Sequence, residues 1–114
     1  MSCCIAERRD AMVGVVGAMI EALDWVAEAE ASEIARVVAP RFPDVSSEVL
    51  LRSVTRYKSL SLWSDTPVLP PEALDRLADA MISAGVMERH PGYAACIDAD
   101  LVREALDRSR ISGA

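Results

Sequence analysis

The sequence predicts an all-α fold, on three observations. Eighteen of its 114 residues are alanine, and Leu, Ile, Val and Met supply most of the remaining apolar positions. Such a composition favours helix. There are only five aromatic residues and few β-branched runs, so little in the chain asks for a sheet. Apolar residues also recur at spacings of three and four along most of the length, the period of one helix face. The expected architecture is one domain over residues 1–108, a bundle of about five helices with the first long and central. Residues 109–114 read as a frayed tail. A chain of this length holds one core.

Taken in order, Ser2 to Ala6 is short and apolar and reads as a stray strand with nothing to pair with. Asp10 then offers a charge at the start of a helix running to about Ala29. Met12, Val16, Met19, Leu23 and Val26 step along one face of it, and Val13, Val15 and Ile20 fill much of the other. Its first half is therefore apolar nearly all round. Gly14 and Gly17 cost helix propensity and point to close approach of another backbone. Ser32 is the expected cap of a short helix ended by Pro40, with Glu33 in its first turn. Ser46 or Ser47 caps a third helix to about Ser59, with Leu50, Val54 and Tyr57 as its buried stripe and Arg52, Arg56 and Lys58 facing elsewhere. Leu60 to Pro71 is irregular, anchored by Leu62-Trp63 and Val68-Leu69. Pro71 suits a first helical position. Leu74, Leu77, Ala78, Met81 and Ile82 form the next stripe, and Gly85-Val86 closes it in the left-handed manner. His90-Pro91-Gly92 is a turn. Asp98 or Asp100 caps a last helix holding Leu101, Val102, Ala105 and Leu106.

The formal charge of −6 argues against a nucleic-acid partner, and the twelve basic residues are scattered. The longest apolar run, Ala11 to Ile20, is too short to span a membrane, and no signal peptide opens the chain. As written, the expected location is the cytoplasm. Cys3, Cys4 and Cys96 make no disulfide framework.

Candidate chemistry is sparse. His90 has no Ser, Cys or Asp in a nucleophile pattern beside it, and reads as a solvated turn histidine. Cys3-Cys4 lacks the gap that lets two thiolates share one zinc ion. The pairs Glu28/Glu30 and Asp98/Asp100 lie at helix ends, where capping explains them. Gly14 and Gly17 sit inside a helix without the Lys-Ser/Thr of a phosphate loop. Trp25 and Trp63 read as packing anchors rather than pocket walls. No catalysis, metal or cofactor is expected.

One ordered set of short motifs resembles a known family. It comprises Leu23-Asp24-Trp25-Val26, Ile34-Ala35, Val38-Ala39-Pro40 and Phe42-Pro43-Asp44-Val45. It continues with Leu50, Arg56-Tyr57-Lys58, Leu62-Trp63, Pro67-Val68-Leu69 and Ala84-Gly85-Val86, then Tyr93 and Asp98. This order resembles the C-terminal segment of periplasmic substrate-binding proteins of ABC importers, in the branch handling sulfonates, taurine, nitrate and thiamine precursors. The resemblance implies a solute-binding component lacking most of the two upstream α/β lobes, and so unable to bind solute alone. Full-length relatives are periplasmic, and their partner is the importer's membrane subunit. Two departures stand out: Pro70 replaces a capping Ser, and Cys3-Cys4 does not reproduce the cysteine-rich motif of a thiamine-precursor branch. No ligand-binding residue carries over. The alternative reading is a stand-alone helical interaction module. The apolar first helix then predicts a homodimer with Val13, Val16, Gly17 and Ile20 near the contact.

Overall fold

The computed structural model describes residues 2–113, with side chains from Ile5 to Gly113. It is all-helical among these residues. Seven α-helices follow one another: α1 (Ser2–Glu7), α2 (Arg9–Glu28), α3 (Ala31–Val38), α4 (Ser47–Ser59), α5 (Pro71–Ser83), α6 (Tyr93–Cys96) and α7 (Ala99–Ser112), with a 3-10 turn over Ala39–Arg41. Five of these have eight residues or more, as the periodicity indicates. The expected N-terminal strand is instead the helix α1. A lone strand leaves its backbone groups unpaired, whereas a helix pairs them internally. The Cys3 and Cys4 thiols lie outside the described side chains.

The chain forms two compact units, one of Ala18–Thr66 and one of Met1–Gly17 with Pro67–Ala114. In the first, α3 packs on α4 around Ala29, Ile34, Ala35, Leu50 and Val54, with Val26, Ala31, Val38 and Ala39 closing the edges. Ser46 caps α4, its Oγ accepting the Val49 N–H at 3.3 Å. The cap of α3 differs from the expectation. Glu30 occupies that position without a side-chain hydrogen bond, and Ser32 lies in the first turn. Pro40 sits inside the 3-10 turn, at a position where its missing N–H leaves no bond unmade.

In the second unit the buried apolar residues are Val13, Leu74, Ala78, Leu101 and Ala105. Pro71 opens α5 behind Pro70. Asp98 caps α7, its Oδ1 accepting the Leu101 N–H at 2.9 Å. The helix continues through Ser112. Tyr93 Oη donates to the Leu69 carbonyl at 2.6 Å and pins the segment before α5. Three stripe residues are less buried than their spacing predicts. Tyr57 is 45% exposed, Leu77 56% and Ile82 36%, because helices this short present a contact face about two residues wide.

Both α4 and α5 end in the same left-handed closure. Gly85 (φ 71°) donates to the Ile82 carbonyl, and Val86 donates to that of Met81. After α4, Ser61 (φ 50°) donates to Lys58 and Leu62 to Tyr57, both at 3.1 Å. This paired closure satisfies carbonyls that a helix end otherwise leaves open. Ser61 holds a conformation that costs a residue with a Cβ about 1–2 kcal/mol. Gly85 avoids that cost. The two sites therefore predict substitutions of opposite sign. Gly85→Ala lowers stability by about 1 kcal/mol, and the cost is purely conformational, since a Cβ there meets nothing within 4 Å. Ser61→Gly raises stability by ~0.5 kcal/mol, the relief of strain less the greater unfolded freedom of glycine. Urea midpoints check both; a lower midpoint for the Ser61 variant contradicts the strain argument.

Candidate functional site

A helix leaves its last carbonyls unpaired and carries about half a negative charge at that end. In α2 the last turn holds no basic residue to answer it. The cation comes from α4. Lys58 Nζ donates to the carbonyls of Val26 at 2.9 Å, Ala27 at 3.3 Å and Ala29 at 2.6 Å. An ammonium has three protons, and all three have partners. The Trp25 carbonyl takes the Ala29 N–H at 2.8 Å. Lys58 is thus half-buried at a helix terminus, not directed away with Arg52 and Arg56 as the sequence pattern suggests.

The same residues wall a groove of about 410 Å³. Leu23, Val26 and Ala27 of α2 form one side. Tyr57 and Lys58 form the other, and Ser61, Trp63, Ser64 and Asp65 complete the rim. Tyr57 and Trp63 meet edge to face, with centroids 5.8 Å apart and planes at 85°, an arrangement that favours aromatic pairs. Trp63 remains 38% exposed, so it serves as pocket wall as well as anchor. Ser64 Oγ donates to the Thr66 carbonyl at 2.8 Å and accepts its N–H at 3.2 Å, which folds the rim into a tight turn. The strained Ser61 lies on this rim as well.

In the other unit, charges fasten the start of α2 to α7. Arg9 Nε donates to Glu104 at 3.0 Å and Nη1 to Asp98 at 3.4 Å. Arg108 Nη2 donates to Asp10 at 3.0 Å and to Glu104 at 2.7 Å. The hydrogen bond to Glu104 raises the Arg9 pKa above the ordinary arginine value against some desolvation, with Asp98 adding its charge. The bond to Asp10 acts likewise on Arg108. Both guanidinium groups are fixed as cations. His90 is a structural turn residue. Its Nδ1 accepts the Gly92 N–H at 2.9 Å, so the neutral ring carries its proton on Nε2, which faces Asp75 Oδ1 at 3.1 Å. Cys96 is a free, exposed thiol. No group of His, Cys, Asp and Glu able to hold a metal occurs among the described residues, and no helix there is long and apolar enough to cross a membrane.

The four residues expected at a subunit contact are divided in their exposure. Val13 (2% exposed) and Ile20 (7%) are buried within the chain, while Val16 and Gly17 are half-buried. The exposed large apolar side chains of that helix are Val15 (56%), Met19 (55%) and Trp25 (37%). Lys58 and Arg9 escaped the sequence reading. The signal for Lys58 was a helix end without a base, followed by a lysine one residue beyond an apolar stripe.

No protein-family model matches the chain, and no solved structure matches it. Among curated proteins it is similar to the Bacillus subtilis (strain 168) protein named "Putative binding protein YtlA", 23% identical over 100 residues. The match covers 88% of this chain and 30% of that protein, so the chain spans about a third of its relative's length. The similarity relates the chain to a binding protein at that coarse level.

Removing the ammonium tests the α2 terminus directly. Lys58→Met keeps the apolar stem but strands the partly buried carbonyls of Val26 and Ala29 and leaves the exposed one of Ala27 to water. It is expected to lower stability by about 2 kcal/mol, with the loss read as a drop in urea midpoint. An unchanged midpoint contradicts the assignment of Lys58 as the cap.

Proposed function

We propose that this chain is the C-terminal helical segment of a solute-binding component of an ABC importer, of the sulfonate, nitrate and taurine type, with no catalysis of its own. The observation that carries the reading is the similarity to a named binding protein over 100 residues. It coincides with the ordered motifs from Leu23-Asp24-Trp25-Val26 to Asp98. The geometry agrees in one respect. Anionic solutes call for free N–H donors, and the lysine that lines the groove has all three protons engaged by backbone carbonyls. In this reading affinity for solute belongs to convergent groups in two α/β lobes, and the partner is the importer's membrane subunit.

The DNA immediately upstream of Met1 tests the reading. A stretch coding for two α/β lobes, in frame or frameshifted, is the expected result; an unrelated region with its own promoter and ribosome-binding site overturns it. A second reading, an interaction module that pairs with another copy, is favoured by the exposure of Val15 and Met19 one turn apart on α2. For it, light scattering at high micromolar concentration is expected to give a dimer that Met19→Glu dissociates, and a clean monomer removes it.

The importer reading also predicts how the isolated chain behaves toward solutes. Taurine, alkanesulfonates and nitrate are expected to bind no tighter than about 1 mM, a level worth about −4 kcal/mol. Isothermal titration measures this, and saturable micromolar binding of any of them contradicts it.

A further inference from the structure

The groove of the Ala18–Thr66 unit has a charge balance that selects a ligand class. Its floor and walls are apolar and aromatic: Leu23, Val26, Tyr57 and Trp63. Two charged side chains line it, Lys58 and Asp65. Lys58 has no proton to offer, since its three donors already meet three carbonyls. Its charge is also opposed by the roughly half negative charge at the end of α2. Asp65 is in the opposite condition. Its carboxylate has no hydrogen bond or ion pair among the described residues, so its acceptors are free. Together the lysine, the helix end and the carboxylate leave the groove with about half a negative charge. The exposed Trp63 ring adds the electron-rich face on which cations settle. At about 410 Å³ the space suits a small molecule, within the common range of ligand sites.

We propose that this groove binds a small organic cation, an alkyl- or arylalkylammonium ion. Its apolar body lies between Leu23 and Trp63, and its ammonium group is held by Asp65. Tyr57 orients the indole through the edge-to-face contact, and the turn closed by Ser64 holds Asp65 at the rim. The assignment is independent of the importer reading. It would hold for a stand-alone module and fail without touching the ancestry of the chain.

The test is a titration of the full chain with phenethylammonium, followed by the indole N–H signals of its two tryptophans in 1H–15N spectra. Trp63→Phe assigns the two signals. The neutral-pH anion 3-phenylpropionate is the charge-reversed control of nearly equal shape. The expected result is saturable movement of the Trp63 signal with a Kd of about 1 mM or tighter. The anion leaves that signal in place. Asp65→Asn, on an exposed turn and with an unchanged urea midpoint, weakens the ammonium ion about tenfold or more. Three results overturn the proposal: no saturation by about 10 mM, equal or tighter binding of 3-phenylpropionate, or unchanged affinity in Asp65→Asn.

Discussion

The Ala18–Thr66 unit depends on one contact, the ammonium of Lys58 against the open end of α2. Its hydrophobic cluster is small, with five buried side chains, two of them alanines. A cluster that size gives limited direction to the elements around it, because burial is proportional to area and blind to angle. Hydrogen bonds supply the direction. Three carbonyls converging on one nitrogen fix where α2 stops, where the chain turns into α3 and how α4 is rotated about its axis. The same commitment decides the chemistry nearby. A lysine at a groove wall ordinarily advertises an anion site; this one is spent on backbone.

Charge solves a comparable problem in the other unit by different means. There the contacts are between side chains and remain accessible to water; Arg9 and Arg108 have side chains 40% and 53% exposed. Exposed pairs each contribute little, and networks contribute more through geometry than through energy. Successive residues of α2 carry opposite signs, Arg9 and Asp10, and each meets its opposite on α7, with Glu104 shared by both arginines. Displacing α7 by one turn sets like against like. Register is what this arrangement specifies.

How much of this was legible in the sequence follows from the range of each interaction. Helix limits were readable because caps and stops are local. Ser46, Asp98, Pro71 and Gly85 act within a few residues of themselves, and each is where its chemistry predicts. The five residues from Ser2 to Ala6 carry too little periodicity to tell strand from helix, and they fold as the start of α1. Ser32 has the chemistry of a cap but lies in the first turn, because entry to α3 comes at Glu30, which makes no side-chain cap bond. The groove was least legible. It needs Leu23, Tyr57 and Trp63 brought together across 40 residues of chain, and no local pattern encodes such a meeting. Spacing alone puts Tyr57 in the core, yet it stands at a groove wall, where a ring can be both packed and wet.

The carbonyl-bound lysine also sets which lengths of chain can change. Ser46 fixes the start of α4 and Lys58 must reach α2 from near its end, so the interval between them is a measured one. Each residue added to or removed from a helix rotates everything beyond it by about 100°. One insertion between Val49 and Thr55 swings the ammonium to a different face, and only the loss or gain of whole turns brings it back near α2. Within α4 an exposed residue such as Arg52 can be exchanged, but none can be inserted.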